Sequence, residues 1–542
     1  METPFAITLA AGSSLGNKTG SWRVERPIYV DRLPPCNDAC PAGENVQGWL
    51  YAAEEGEYER AWRLLAQENP MPATMGRVCY HPCRTACNRG KLDEEVGINA
   101  VERFLGDQAI AKGWSFDPGP IDTDRRVLVV GSGPASLSAA YHLRRAGHSV
   151  VIQETADAPG GMMRYGIPRY RLPRDVLDAE VERILATGVE LHLNRPVEDL
   201  QATMTEEGCD AAFLGVGAGL ARNAYVPAGD SARIIDALSL LSSTETGEPP
   251  VLGRRVVVYG GGNTAMDAAR TARRLGATDA VVVYRRTRDR MPAQDVEIEE
   301  AQAEGVSMRW LSTITRADDG AVQVERMVLD SSGLPQPTGD FEELGADAVV
   351  LAIGQSSDLS LVEGLTGVTV DGGVVKVGPD RSIGYPGVFA GGDMVEGERT
   401  VTSAIGGGKA AARAIDAWLW GEPIAPSHGR HPLAAFERIN PWYYSDASRT
   451  VQPELFPARR ASTFDEVVGG LSETNALYEA RRCLSCGNCF ECDNCFGVCP
   501  DNAVVKLGNG QRYRFDYDYC KGCGLCAQEC PCGAIDMVPE EV

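Results

Sequence analysis

The sequence predicts an α/β chain. Two doubly wound dinucleotide-binding domains are expected, with a helical cysteine-bearing domain before them and a small cysteine-dense module after. Three observations predict this. Two glycine loops, at Gly131 and Gly260, each stand between an apolar strand and the start of a helix. Strand and helix patterns alternate from Arg126 to about Trp420, as in parallel-sheet folds. Eleven of the seventeen cysteines crowd into the last sixty residues.

Composition sets the bounds. At 542 residues the chain can hold three or four domains with ample core. A hydrophobic fraction of 44% with 23% charged residues is ordinary for a globular protein. Sixty glycines is a high count, as nucleotide-binding loops require. The net charge of −23 argues against nucleic-acid or anionic-membrane partners, and solubility accounts for it. No apolar stretch approaches the roughly 20 residues that span a bilayer. The first residues include Glu2 and no basic region, unlike a secretory signal. A reducing, cytoplasmic setting is therefore expected, with thiolates on metal rather than in disulfides.

Taken in order, residues 1–30 show little periodicity and read as a surface arm. The helical domain is expected over 31–120. Within Val46–Gln67 the apolar positions Val46, Leu50, Ala53, Tyr58, Ala61 and Leu65 suit an amphipathic helix. Cys36-x3-Cys40-Pro41 and Cys79-x3-Cys83-x3-Cys87 stand about forty residues apart. Five cysteines can hold one [4Fe–4S] cluster, with one left over. His81, inside this run, reads as a local hydrogen-bonding residue. Pro118 and Pro120 mark a linker.

The first dinucleotide-binding domain is expected over 121–220 and again over 355–420. Arg126–Val130 reads as a buried strand running into Gly131-Ser132-Gly133-Pro134-Ala135-Ser136. Gly131 permits the turn, Gly133 lets backbone approach a pyrophosphate, and the helix N-terminus faces that anion. The third position is Ser136, still small. Glu154 closes the next strand, 23 residues after Gly131, where an acid takes ribose hydroxyls.

The second domain, over 221–354, repeats the pattern at Gly260-Gly261-Gly262-Asn263-Thr264-Ala265. No ribose acid ends its second strand. The chain reads Val283-Tyr284-Arg285-Arg286 instead. Two guanidiniums there suit a 2′-phosphate and favour NADP(H) over NAD(H). The alternative is that both are solvated or paired with carboxylates of Asp295–Glu300. Leu351–Gln355, with Gly354, resembles the strand that returns the chain from a nicotinamide domain to an FAD domain.

Residues 421–477, rich in proline and charge, read as a linker or wrap-around arm. A helix near Glu473–Arg482 leads into the last module, 478–542. There Cys489-x2-Cys492-x2-Cys495-x3-Cys499-Pro500 and Cys520-x2-Cys523-x2-Cys526-x3-Cys530-Pro531 follow the bacterial two-cluster ferredoxin pattern. The fourth cysteine of each run ligates the other cluster. One [4Fe–4S] is expected on Cys489, Cys492, Cys495 and Cys530, and another on Cys520, Cys523, Cys526 and Cys499. Cys483 and Cys486 continue the spacing upstream, and Cys532 follows. These three could hold a metal with a fourth ligand, but none is apparent, and packing beside the clusters is preferred. Cys209 reads as core. His428 and His431 belong to no constellation. No nucleophile–base arrangement is visible.

Longer segments resemble known families. Gly160-Gly161-Met162, Tyr165-Gly166-Ile167-Pro168, Arg171-Leu172-Pro173, Ala390-Gly391-Gly392-Asp393 and Ala404-Ile405-Gly406-Gly407-Gly408-Lys409 resemble a flavoprotein family with the glutathione-reductase arrangement. The resemblance implies an FAD site with Gly161, Arg171, Gly392, Ala404 and Ile405 around it. It also implies Asp393 on the ribityl chain and the next helix N-terminus facing the isoalloxazine. "PPCNDACPAGENVQGW", "GRVCYHPCRTACNRG" and "INAVERF" are similar to the iron–sulfur domain of the glutamate synthase small-subunit family. Dihydropyrimidine dehydrogenase and bifurcating transhydrogenases share it. That family carries a further CxxC pair upstream and builds two clusters. Here Val30–Pro35 precede Cys36, so one cluster is expected to be lost. By position the survivor uses Cys40, Cys79 and Cys83, with Cys87, Cys36 or Glu102 as the fourth ligand. The resemblance covers 25–420, with the ferredoxin-like module appended.

Relatives with that module stand beside 2-oxoacid:ferredoxin oxidoreductases, benzoyl-CoA reductases and dissimilatory sulfite reductase. The resemblance therefore implies an NAD(P)H:acceptor oxidoreductase with FAD and three [4Fe–4S] clusters. It would exchange electrons with ferredoxin or a larger redox enzyme, within an oligomeric complex. Two alternatives stand beside this reading. One is a glutamate-synthase-type small subunit feeding an amidotransferase, which would not need the appended module. The other is an electron-relay subunit that no longer uses nicotinamide, against which the intact second loop speaks.

Overall fold

The computed structural model describes residues 18–117, 123–222, 226–229, 233–424 and 431–540. Pro118, Pro120, His428 and residues 1–17 of the expected arm lie outside them. Two five-stranded parallel sheets form the centre. In the first, Arg126–Val130 lies between Ser149–Gln153 and Ala211–Leu214, with Glu190–His192 and Val388–Ala390 at the edges. Its inner strands are apolar almost throughout because both faces are covered, one by the helices Pro134–Arg145, Arg174–Leu185 and Val401–Trp420 and the other by Val362, Val375, Ile383 and Met394. In the second, Arg255–Tyr259 lies between Asp279–Val283 and Ala348–Leu351, with Ser307–Arg309 and Ile234–Asp236 outside. Each glycine loop leaves the carboxyl end of its central strand, where such sheets bind ligands. The last strand of the first sheet follows the whole second sheet in sequence. An antiparallel meander, Ser312–Asp318, Ala321–Leu329 and Pro335–Gly345, packs on the second sheet.

The helix Val401–Trp420 joins the first sheet to the helical domain. Thr400 caps it through its hydroxyl, which accepts from Ser403 N at 3.1 Å. Gly421 ends it in the left-handed region. One face crosses the helix Pro134–Arg145 so closely that a Cβ on Gly408 would stand 2.0 Å from Ala135 O. A Cβ on Gly406 would stand 2.0 Å from Pro41 O in the helical domain. Lys409 is buried there, donating to Ala42 O and to Glu68 at 2.6 Å.

The helical domain packs Trp49, Trp62, Leu65 and Leu105 into one core. The single helix expected over Val46–Gln67 is two, Val46–Glu54 and Tyr58–Ala66. Gly56, at φ +78°, turns the chain between them, which explains the mixed spacing of the apolar residues.

The arm before residue 30 is a structural element where it is described. Glu25–Tyr29 pairs antiparallel with Ile535–Pro539, so both ends of the chain share one sheet. Arg23 grips Glu540 through two bonds of 2.6 and 2.7 Å, and Tyr29 stacks on Phe515 at 4.9 Å. Residues 431–472 run as an extended strap. Glu466 on it pairs with Arg77 at 2.7 Å and Arg103 at 2.9 Å, and Thr463 O accepts from Arg274 at 3.1 Å.

After the helix Glu473–Arg481, Arg482 is buried against the helical domain. It donates to Ala447 O, Glu95 O and Glu94 O at 3.0, 3.0 and 2.6 Å. It also pairs with Glu479 at 3.0 Å and Asp93 at 3.3 Å. Arg89 closes the knot, bonding Asp93 and, at 2.7 Å, Arg482 O. No helix among the described residues is long and apolar enough to cross a membrane. Removing one partner from such a buried set strands the others. Arg482→Met should cost about 3–5 kcal/mol. Amide exchange over 89–97 and 473–482 should speed accordingly, and unchanged exchange would refute the role given to Arg482.

Candidate functional site

In the first loop Gly131 has φ +87°, and a Cβ would stand 2.8 Å from Gly215 O. Gly133 is extended and begins the helix Pro134–Arg145 with no side-chain cap. A Cβ there would meet nothing within 4 Å, so free amides face open space, as a pyrophosphate requires. Pro134 at the first turn withholds no needed donor. Gly161, at φ +52°, passes over the loop: its Cβ would stand 2.9 Å from Gly133 Cα. Glu154 is oriented by the loop itself, accepting from Ser132 N at 2.7 Å, Ser132 Oγ at 2.6 Å and Ala156 N at 2.8 Å. Asp393 lies in the turn Gly392–Met394, and burial raises its carboxyl, with Arg399 opposing. Ala404 and Ile405 are buried in the first turns of the next helix, and Ser138 Oγ donates to Ile405 O at 2.8 Å. These features fit an FAD.

In the second loop a Cβ on Gly260 would stand 2.1 Å from Ala352 O, and one on Gly261 would strike the Tyr284 ring at 2.4 Å. Gly262 begins the helix Asn263–Arg274 without a side-chain cap and faces open space. Asn263 Oδ1 accepts from Gln294 N at 2.9 Å, and Thr264 Oγ1 meets Gln355 Nε2 at 3.4 Å. Gly354, at φ +113°, gives its carbonyl to Arg222 N. Arg285 is exposed and Arg286 half-buried. Neither has an ion-pair partner among the described residues, and Arg286 Nε is buried without an acceptor. The carboxylates of Asp295 and Glu299 are taken by Arg288 at 3.9 and 3.4 Å. The donor set fits a phosphorylated ribose.

Arg171 lies in the junction between the two nucleotide domains. It pairs with Asp267 at 2.8 Å and with Glu297. Arg270 and Arg274 extend the cluster to Glu300 and Glu304, each at 2.5 Å, and both lie over the Tyr170 ring at 4.8 and 3.7 Å. This cluster did not emerge from the sequence. Its signal was the spacing of Glu297, Glu300 and Glu304 against Arg270 and Arg274 on two helices.

The helical domain gathers Cys40, Cys79 and Cys83 beside two buried carboxyls. Burial pushes the Cys79 thiol up to about 12, with Glu102 adding and Thr402 of the helix Val401–Trp420 opposing. Burial also raises Cys83, followed by Cys79, Cys40, Glu102 and Glu44. Glu102 is held well above the carboxylate range by burial and by Glu44 and Glu180. Asn69 Nδ2 donates to Glu44 at 2.9 Å and Glu102 at 3.0 Å. Glu44 was not singled out in the sequence; an acid four residues after Cys40 was its only sign. The His81 backbone N–H donates to Cys79 Sγ at 3.3 Å, while its ring Nδ1 is buried without a partner. Cys36 and Cys87 line a separate cavity, with Cys483 and Cys486.

In the C-terminal module Cys499, from the first run, lines a cavity of about 340 Å³ with Cys520, Cys523 and Cys526 of the second. Burial pushes the Cys495 thiol up to about 11, and the sulfurs of Cys489, Cys492 and Cys530 add to it. Cys532 Sγ stands 3.8 Å from Cys530 Sγ. Among the described residues no three Cys, His, Asp or Glu side chains are grouped to hold a single metal ion. Thiols spread around a cavity instead suit a polynuclear cluster that takes one thiolate per iron.

Residues 125–408 match the pyridine nucleotide-disulphide oxidoreductase family. Residues 26–114 match the dihydropyrimidine dehydrogenase domain II with its 4Fe-4S cluster, and 488–534 match the 4Fe-4S dicluster domain. The chain is 35% identical over 498 residues to the NADP(+)-dependent formate dehydrogenase subunit beta of Moorella thermoacetica, covering 83% of this chain and 70% of that one. It is 32% identical over 524 residues to the NADPH-Fe(3+) oxidoreductase subunit beta of Geobacter sulfurreducens, covering 85% and 77%. It is also 32% identical over 418 residues to the glutamate synthase [NADPH] small chain of Escherichia coli, covering 71% and 89%. Among solved structures, Mycobacterium tuberculosis FprA in complex with NADPH aligns at 19% identity and a TM-score of 0.47, over 55% of this chain and 85% of that one.

Gly408 tests the packing on which the first site rests. Gly408→Ala forces backbone from backbone at Ala135 and should cost about 1–3 kcal/mol. The purified variant should carry less flavin per chain. An unchanged flavin-to-protein ratio and thermal midpoint would show that the crossing is not tight.

Proposed function

Because the chain belongs to the pyridine nucleotide-disulphide oxidoreductase family and carries 4Fe-4S domains on both sides, we propose that it exchanges electrons between NADP(H) and a protein acceptor. One observation carries this reading: a single helix, Val401–Trp420, touches both the expected flavin site and the cysteines of the helical domain. Its first turns hold Ala404 and Ile405, and its Thr402 draws on the Cys79 thiol. Its Gly406 abuts Pro41, next to Cys40. When bound, FAD supplies the exchange of a hydride for single electrons, and [4Fe–4S] clusters supply one-electron steps.

The chain's own groups bind and orient. Gly131 and Gly133 open the loop to a pyrophosphate, and Glu154, pinned by Ser132, presents its carboxylate to ribose hydroxyls. Gly260 and Gly262 do the same for the nicotinamide dinucleotide, with Arg285 and Arg286 set on its 2′-phosphate. Cys40, Cys79 and Cys83, with Glu102 as the fourth ligand, would hold the cluster nearest the flavin. The two cysteine runs at 489–530 would hold two more and face the acceptor. Relatives named as beta subunits and a small chain favour a larger assembly. The acceptor is a ferredoxin or a partner enzyme of the 2-oxoacid oxidoreductase, benzoyl-CoA reductase or sulfite reductase type.

Anaerobic titration of the whole chain with NADPH should bleach flavin and then iron–sulfur absorbance. No bleaching with either nicotinamide would overturn the reading. Replacing Arg285 and Arg286 by Ala should raise the KM for NADPH about tenfold or more, the loss of at least one charge-assisted bond, and leave NADH unchanged. An equal loss for both nucleotides would remove the pair from 2′-phosphate recognition.

A further inference from the structure

Four cysteines outside the two C-terminal runs meet around one cavity. Cys36 and Cys87 come from the helical domain, and Cys483 and Cys486 from the entrance to the last module. The cavity measures about 350 Å³, against about 340 Å³ for the one lined by Cys499, Cys520, Cys523 and Cys526. Pro34, Pro35, Leu50 and Ile98 complete an apolar wall.

Each sulfur is fixed independently. Cys36 is buried on the short helix Pro35–Ala39, and Cys87 precedes the turn Asn88–Lys91. Cys483 follows Arg482, which is locked to Asp93 and Glu479. Ser485, at φ +48°, turns the chain so that Cys486 reaches the same space. The Ser485 N–H donates to Cys483 Sγ at 3.4 Å. Ala503 N does the same to Cys499 Sγ at 3.2 Å, and Ala534 N to Cys530 Sγ at 3.4 Å. Amide-to-sulfur bonds of this kind stabilise cluster thiolates and tune potential.

We propose that Cys36, Cys87, Cys483 and Cys486 ligate a further [4Fe–4S] cluster, two ligands coming from each end of the sequence. The CxxC pair missing before Cys36 is thus supplied some 450 residues later, by Cys483-x2-Cys486. The inference rests on the reading that this chain carries clusters. Cys36 and Cys87 each stand four residues from a cysteine of the Cys40–Cys79–Cys83 group, at most about 14 Å of chain. Cys486 stands three residues from Cys489, at most about 11 Å. The site therefore stands within short reach of both the flavin-side cluster and the ferredoxin-like pair. One electron arrives as one departs, with no bond made and no proton moved.

The test is iron, acid-labile sulfide and zinc per chain in the full-length protein purified anaerobically. Wild type should hold four clusters' worth of iron and sulfide. Cys483→Ala/Cys486→Ala should lose about four iron and four sulfide per chain, while Cys209→Ala loses none. Cys36→Ala should remove the same Mössbauer and EPR component as the double variant, although its site is in another domain. Iron for only three clusters in wild type overturns the proposal, whether or not any variant folds. So does full iron retention in the double variant, a different component lost in Cys36→Ala, or one zinc per chain. Flavin content and bleaching by NADPH are read separately. Their failure with four clusters present would sink the proposed nicotinamide activity and leave this site standing.

Discussion

Burial of the Arg482 guanidinium holds the two ends of this chain together. A charge taken out of water costs several kcal/mol unless each donor finds an acceptor. Arg482 finds them on three separate stretches: Asp93 to Glu95, Ala447, and Glu479 one turn back. Glu479 is itself tied, accepting from Gly97 N at 2.8 Å and Thr450 N at 2.6 Å. Cys483 follows Arg482 directly, so its sulfur is delivered against Cys87 by the same bonds. The pairing of Glu25–Tyr29 with Ile535–Pro539 then closes the contact from the other side.

The second constraint is steric. The helix Val401–Trp420 packs backbone against backbone on two sides, at Gly408 over Ala135 and at Gly406 over Pro41. Small residues there set the separation between the first glycine loop and the helical domain. Electron transfer weakens steeply with distance, so a fixed spacing matters more than a strong one. Lys409, reaching Ala42 O and Glu68 from the same helix, adds a polar lock beside the steric one.

Local signals were legible in the sequence; convergent ones were not. Each glycine loop reads within about thirty residues, because turn, anion site and helix start are contiguous. The two-run cysteine pattern reads within fifty for the same reason. Gly56 hid in an apolar pattern that continues across the turn it makes. The partner of Glu25–Tyr29 lies some 500 residues away, and no periodicity of one strand names the other. Arg171 was legible only as part of a motif: its sequence context points to a cofactor, while its ion pairs with Asp267 and Glu297 come from residues about a hundred positions away. Cys483 and Cys486 lacked an apparent fourth ligand for a similar reason. Their neighbours Cys36 and Cys87 belong to another domain, and only the fold brings them near.

The Arg171 cluster has its own logic. Three guanidiniums, of Arg171, Arg270 and Arg274, meet four carboxylates, of Asp267, Glu297, Glu300 and Glu304, with the Tyr170 ring beneath two of them. Burial lifts the Glu297 carboxyl while Arg171 opposes it, and desolvation outweighs pairing there. A network of this kind adds little net stability compared with an apolar contact. It adds orientation, because a forked guanidinium donates to carboxylates in few geometries. Two domains that must present a nicotinamide to a flavin need their relative rotation fixed more than they need extra stability. A greasy interface would let them slide; this one gives them one register.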